Sequence, residues 1–210
     1  MKPAGSRFGM YERESSETRV YTSVDLDGTG NAQIDTGIGF FDHMLAQVAR
    51  HGLIDLVIDA GGDLHVDEHH VVEDVGICLG KAVQQALGDM RGINRFGWAI
   101  VPMDEALAMV ALDFSGRPLL QFEACFRRES VGTFPTELTA EFFRAFATHA
   151  GATLHIRLLN ATNDHHAIEA IFKAFAKALE MATRYHPRQS AIPSTKGFLE
   201  GANEEPPSGL

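Results

Sequence analysis

This chain of 210 residues reads as two related halves. Residues 67–74 are DEHHVVED and residues 163–170 are NDHHAIEA, so the order His-His-x-x-Glu recurs 96 positions apart. Upstream, EALAMVALDFSGRP follows ETRVYTSVDLDGTG at an offset of 88, pairing Glu17 with Glu105 and Gly28 with Gly116. Between these blocks TAEFFRAFATHAG parallels FFDHMLAQVARHG at an offset of 98, which sets Glu141 opposite His43 and His149 opposite His51. A period this long in two copies implies pseudo-symmetry inside one fold and argues against a solenoid, which stacks several shorter repeats. The repeats run over about 15–92 and 103–185, within one expected domain of residues 1–200.

The hydrophobic period changes along the chain in a way that suggests sheets and helices. VYTSVDLDGTG alternates Val20, Thr22, Val24 and Leu26 toward one face and ends in Asp-Gly, which predicts a half-buried strand entering a hairpin. From Gly39 onward Phe40, Phe41, Met44, Leu45 and Val48 recur at helical spacing. HGLIDLVIDAGGDLHVD then predicts two strands around a Gly-Gly turn. Val71, Val75, Cys78, Leu79, Ala82 and Leu87 make the next segment an amphipathic helix that carries His-His-x-x-Glu on its first turn. The expected fold class is α+β, internally duplicated, each half a sheet with helices laid on it. Residues 1–15 are expected to be a mobile lead-in, and EGANEEPPSGL at 200–210, rich in Pro, Gly and acid, a disordered tail.

Composition narrows the partners. With 45% hydrophobic residues the chain can bury a sizeable core. A formal net charge of −10 disfavours a nucleic-acid or anionic-membrane surface, so an anionic ligand must be met by a local basic cluster. No apolar run approaches the ~18 residues of a membrane span, and the N-terminus lacks a signal-peptide core. Cys78 and Cys125 lie in apolar stretches and form no CxxC pair; they are expected to be buried thiols in a reducing, cytoplasmic compartment.

The repeated motif has the donors of a metal site. His69 and Glu73 are i,i+4 and His70 and Glu73 are i,i+3, so either histidine can share a helix face with the carboxylate. Adjacent histidines diverge by about 100° around a helix, so one ion does not comfortably take both, and each motif is shaped to feed two sites. His69, His70, Glu73, His165, His166 and Glu169, with the repeat-related His43 and Glu141, make eight candidate ligands, or four for each of two ions. Nitrogen and oxygen donors without thiolate suit Mn, Fe, Zn or Ni, and four protein ligands on an octahedral ion leave two positions open for substrate or water. A solvated helix start is the simpler account of one such pair, but does not require the same order at both places. His65 and His155, inside strand patterns, are set aside as structural.

Cations form a second constellation. Arg95 in GINRFG, Arg117 in SGRP, Lys173 in FKAF, and Ser194, Thr195 and Lys196 in PSTKG stand next to glycine or turn residues or on the second motif's helix. Gly197 allows the backbone to come close to an oxyanion. In so acidic a chain this set points to a phosphorylated small molecule. PSTKG is too short for a Walker loop and lacks that loop's leading glycine.

FFDHMLAQVARHGLIDL, DLHVDEHHVVEDVG, GINRFG, PMDEAL, LDFSGRP, NDHHAIEAIFKAFAKAL and PSTKG, taken together, resemble the imidazoleglycerol-phosphate dehydratase family of histidine biosynthesis over roughly residues 8 to 199. The resemblance implies a duplicated fold like that of ribosomal protein S5 domain 2, with a four-stranded sheet and helices on one face in each half. It also implies two Mn2+ ions per active site and a homo-oligomer of 24 subunits with active sites at subunit contacts. Carried onto this chain, the metal ligands fall on His43, His69, His70, Glu73, His165, His166 and Glu169, with Glu141 where some members have histidine. Phosphate-binding positions fall on His51, Arg95, Arg117, Lys173, Ser194 and Lys196, with Thr195 between the last two, and Glu17 matches a substrate-contacting glutamate.

The implied reaction removes water from D-erythro-1-(imidazol-4-yl)glycerol 3-phosphate to give 3-(imidazol-4-yl)-2-oxopropyl phosphate. No carbonyl lies beside the carbon that loses its proton, so the electrons must be held elsewhere. An imidazole flanked by two cations can exist as imidazolate, expel the neighbouring hydroxyl, and yield an enol after a base takes the carbon proton. Glu17 is the first candidate for proton handling, with Asp104 and Glu105 as alternatives. Two rival classes are a dinuclear phosphoester hydrolase, which would release inorganic phosphate, and a metal-storage protein, which has no need of Arg95, Arg117 and PSTKG.

Overall fold

In strand β2 (Thr18–Asp25) Val20, Thr22 and Val24 are fully buried, as their alternation demands. Strand β6 (Ala106–Asp113) buries Ala106, Ala108, Val110 and Leu112 in the same way. In the computed structural model, which describes residues 7–199, each of these strands lies inside a four-stranded sheet. β1 (Phe8–Glu14) and β4 (Asp55–Gly62) flank β2 antiparallel, and β3 (Ala32–Asp35) closes the first sheet parallel to β4. In the second sheet β5 (Phe96–Met103) and β10 (Thr153–Asn160) flank β6 antiparallel, and β7 (Leu119–Glu123) lies parallel to β10. The fold is α+β and duplicated.

Helices α1 (Gly39–Gly52) and α2 (His69–Leu87) belong to the first half, α3 (Leu138–Ala150) and α4 (Asp164–Thr183) to the second. α1 and α3 both end in a left-handed residue, Leu53 and Gly151, whose N–H returns to the carbonyl of Ala49 or Ala147. These caps stand at the offset that pairs His43 with Glu141. The start of the other two helices is also repeated: the Asp67 carboxylate accepts from the His69 N–H at 2.9 Å, and the Asn163 side chain accepts from the His165 N–H at 2.9 Å. An Asx residue two places before the first histidine therefore holds each motif at a helix N-terminus.

The packing exchanges partners between the halves. α2 lies on β1 and β2, and α4 on β5 and β6, but α1 packs against α4 and α3 against α2. Phe142 of α3 stacks on Phe172 of α4 with centroids 5.3 Å apart and meets Phe41 of α1 edge-on at 5.4 Å. One hydrophobic cluster thus runs through both halves. The sheets come so close to their helices that a Cβ on Gly97 would lie 1.9 Å from the Ala178 carbonyl oxygen, and one on Gly9 2.0 Å from that of Ala82.

Four local expectations are corrected. The Asp27-Gly28 turn does not open a hairpin: β2 pairs with β1 and β4, and the chain crosses to the far side of β4 before β3 forms. Gly61 and Gly62 are no turn either but the end of β4, paired with Arg19 and Thr18, so His65 lies in a turn and not in a strand. Phe8–Glu14, placed in the lead-in, is the edge strand β1. Cys125 is exposed, whereas Cys78 is buried and its thiol is pushed up to about 12 by burial. In the first three cases a local signal was consistent with two outcomes, and pairing with residues distant in sequence chose between them; Cys125 lies just past the end of β7, outside any strand. The short hairpin of β8 (Ser130–Val131) and β9 (Phe134–Pro135) lengthens the second half. The tail at 200–210 and residues 1–6 lie outside the described residues.

Candidate active site

The exchange of helices builds the site. His43, on α1, faces the first two turns of α4, where His165 and Glu169 stand one turn apart. Glu169 Oε2 lies 3.3 Å from His43 Nε2 and 3.1 Å from His165 Nε2. The Glu169 side chain is only 7% exposed, against 47% for His43 and 42% for His165, so the carboxylate forms the floor and the rings form a rim open to solvent. Burial pushes the Glu169 carboxyl up, but the Lys173 ammonium, 2.6 Å from Oε1, and His43 outweigh it and hold the group below its ordinary value. Lys173 thereby keeps Oε1 turned inward and leaves Oε2 to the two rings.

Among the described residues these three are the one set of His, Cys, Asp or Glu whose ligand atoms converge, all within 4.8 Å of one another. Separations of 3.1 and 3.3 Å lie a little above the ~3.0 Å edge of an octahedron with bonds of ~2.1 Å. Two imidazole nitrogens and a carboxylate, with no thiolate, fit a first-row divalent cation. Gln47 extends the cluster along α1: it lies 3.5 Å from His43 Nδ1 and 3.1 Å from His51 Nε2. Burial and the Lys173 charge hold His51 below its usual range.

The second histidine of each motif turns elsewhere. The ring planes of His69 and His70 are 84° apart and those of His165 and His166 86° apart, each pair with centroids separated by 6.1 Å. His166 Nδ1 is 2.8 Å from Glu105 Oε2, and His70 Nδ1 is 3.1 Å from Asp63 Oδ2. Both carboxylates raise the pKa of their histidine. When Nδ1 carries the donated proton, the Nε2 lone pair of each ring is left for a cation, the usual arrangement of a metal-binding histidine. Glu105 uses its other oxygen to accept from the N–H groups of Thr162 and Asn163, and the His166 bond holds its carboxyl down to about 2. Its repeat partner Glu17 is exposed and 3.8 Å from His70 Nδ1. Asp104 stands 3.9 Å from His166 Nε2.

The repeat-related ligands Glu73 and Glu141 line a small cavity of about 140 Å³ with Arg144, Thr148 and His149. His69 is half-buried at the head of the same helix as Glu73. Arg95, Arg117, Ser194, Thr195 and Lys196 meet in a separate cavity of about 770 Å³. Arg95 forks onto Asp113 at 2.6 and 3.1 Å and donates to the Pro193 carbonyl at 2.8 Å, which ties the PSTKG loop to the sheet. Three of its five N–H donors are engaged, leaving two for a ligand. Gly197 has φ +79, and the Ser194 hydroxyl accepts from the Lys196 N–H at 3.2 Å, so the loop turns tightly toward the cavity. The expected phosphate set is thus divided: five residues line this cavity, while His51 and Lys173 stand beside the His43 cluster.

Sequence reasoning missed Gln47, Asp63 and Arg144. Gln47 was legible, one helical turn from both His43 and His51. Asp63 was not, because it has no counterpart in the second half and follows glycines read as a turn.

Comparison with known proteins identifies the family. Residues 36–179 match the family model described as imidazoleglycerol-phosphate dehydratase. The chain is 54% identical over 194 residues to the imidazoleglycerol-phosphate dehydratase of Burkholderia pseudomallei (strain 1710b), covering 92% of this chain and all of that one. It is 54% identical over 195 residues to the enzyme of Ralstonia pickettii (strain 12J), with the same coverage. Among solved structures, the dehydratase of Staphylococcus aureus subsp. aureus N315 superposes with a TM-score of 0.78 at 42% identity, over 85% of this chain and 99% of that one. The Pyrococcus furiosus protein superposes with a TM-score of 0.76 at 34% identity, over 90% and 100%. Site, fold and relatives lead to one conclusion: the chain belongs to the imidazoleglycerol-phosphate dehydratase family, a family of hydro-lyases.

Proposed function

We propose that the chain removes water from D-erythro-1-(imidazol-4-yl)glycerol 3-phosphate by way of an imidazolate stabilised by two Mn2+ ions. The observation that carries this reading is the convergence of His43 and His165 on the buried Glu169 carboxylate; the repeat-related Glu141 and Glu73 line one cavity in the other half. When bound, the ions supply Lewis acidity toward the two ring nitrogens. The protein does the rest. Arg117, Ser194, Thr195 and Lys196 hold the phosphate in the basic cavity, with the two remaining Arg95 donors, and Lys173 adds positive charge near the ring, with His51 beside it as a hydrogen-bonding group. Glu17 takes the proton from the carbon beside the departing hydroxyl; the proton and hydroxyl leave as one water, and the enol tautomerises to the ketone. Asp104 is the alternative acid. Glu105 is better suited to holding His166, since both its oxygens are engaged.

His70 and His166 diverge from the rings beside them, which supports their service to ions shared with neighbouring chains. A 24-subunit assembly with active sites at subunit contacts follows from the resemblance, and work in the cytoplasm follows from cysteine usage, Cys78 and Cys125 forming no CxxC pair. No helix among the described residues is long and apolar enough to cross a membrane.

The test supplies metal-free protein with Mn2+ and the substrate and reads the ketone product by its enol absorbance in alkali. Product that depends on added metal is expected. Release of inorganic phosphate without loss of the hydroxyl would instead identify a phosphoester hydrolase. Lys196→Ala is expected to raise KM about tenfold or more, the size of a lost charge-assisted hydrogen bond; an unchanged KM removes Lys196 from the phosphate site.

A further inference from the structure

We infer that Arg144 guards the second ion position: in the metal-free chain its guanidinium holds the Glu141 carboxylate, and a divalent cation has to displace it. The inference rests on the two-ion reading above. The two ion positions are related by the repeat, Glu141 with His43, His69 with His165 and Glu73 with Glu169, but their compensating cations are not. At the first position the cation is Lys173, one turn after Glu169 on the same helix. Its counterpart in the other half is Ile77, which lines the second cavity and carries no charge. There the cation is Arg144, one turn after Glu141 on α3, where the first half has Ala46.

The two cations act differently because of where they sit. Lys173 and Glu169 are 17% and 7% exposed, so their bond is fixed and presents one carboxylate oxygen to the rings. Arg144 and Glu141 are 56% and 30% exposed, so their ion pair is screened, weak and easily opened. The ligand types add a reason for the pair. The second position has two carboxylates and one imidazole, the first one carboxylate and two imidazoles. Without an ion, Glu73 and Glu141 face one another across a small cavity as like charges, and a tethered guanidinium relieves that repulsion. The same contact competes with an arriving cation. Consistent with this, ligand atoms converge at the first position but, among the described residues, not at the second. The two ions therefore bind in order, and the second responds to the metal supply.

Titration of the metal-free, full-length protein with Mn2+, reading free Mn2+ by its electron paramagnetic resonance signal, tests this directly. Wild type is expected to show a tight and a weaker class of site. Arg144→Gln tightens the weaker class about three- to tenfold, the range of a weak competing ion pair plus the repulsion of one nearby charge, and leaves the tight class alone. Arg144→Lys keeps the weaker class near wild type. In a Glu141→His background, Arg144→Gln loses most of its effect. Weaker binding in Arg144→Gln, no change in either class, or equal change in both overturns the guard. Absence of any Mn2+ binding by wild type is a different result, since it removes the two-ion reading itself.

Discussion

Glu105 and His166 are the most informative pair at the scale of single residues. Their bond pulls the carboxyl down from 4.5 to about 2 and raises the imidazole above 6.5. The depressed acid contributes stability that is complete above 4.5 and lost as pH falls toward its folded value; the raised histidine contributes stability that is complete below 6.5 and lost as pH rises through its folded value. The pair therefore stabilises the metal-free protein most between pH 4.5 and 6.5. Urea melts of wild type and Glu105→Gln are expected to differ most in that window and to approach each other on both sides; a difference that is flat with pH would show that only the neutral contacts to Thr162 and Asn163 matter. Asp63→Asn is expected to reduce Mn2+ affinity about 10- to 100-fold, as loss of a carboxylate partner does for a ligand histidine, read in the same titration that tests Arg144.

The repeat becomes physical at the scale of elements. Gly97 and Gly9 sit where a strand crosses a helix so closely that no side chain fits, with the carbonyls of Ala178 and Ala82 in the way. Gly97→Ala must push β5 off α4 and is expected to cost about 3 kcal/mol or more in denaturant melts, the upper range of overpacking. Gly61→Ala, at a glycine whose Cβ would meet nothing within 4 Å, is the matched control and is expected to change stability by less than about 0.5 kcal/mol. Much of this level was legible: alternation located β2, and helical spacing located α1 and α2, with the paired histidines on the first turn of α2. The pairing of strands was not legible. Asp-Gly at 27–28 and Gly-Gly at 61–62 carry strong turn signals, yet a turn signal says nothing about which strand lies alongside.

The acidic balance of the whole molecule and the basic cavity at Arg95 and Arg117 are complementary facts. A net charge of −10 repels anions at large, so the phosphate binding proposed above needs a local basic cluster, and Arg95, Arg117 and the PSTKG loop line one cavity together. The second sheet turns Phe96, Trp98 and Ile100, alternate residues of β5, out to the surface as a row of exposed apolar side chains. A row of this kind fits an interface between chains. Sedimentation is expected to find particles far heavier than one 22.9 kDa chain, and Trp98→Asp to shift them toward smaller species; an unchanged distribution would move the interface elsewhere.

The sequence by itself determined the duplication, the donor types and the divergence of neighbouring histidines, because each depends on residue identity and on spacing within one element. That covers the kind of chemistry and the residues available for it. Only the tertiary structure decided which of those residues meet. α1 packs on the α4 of the other half, and this sets His43 over Glu169; α3 packs on α2, and this sets Glu141 and Glu73 around one cavity with Arg144. These contacts join residues about 70 to 130 positions apart through buried surface shared by both halves, and no local pattern reports such a contact. The partners of His70 and His166 follow the same rule: repeat symmetry points to Glu17 and Glu105 for both, yet an extra carboxylate at Asp63, reached only when β4 runs on through its glycines, takes His70.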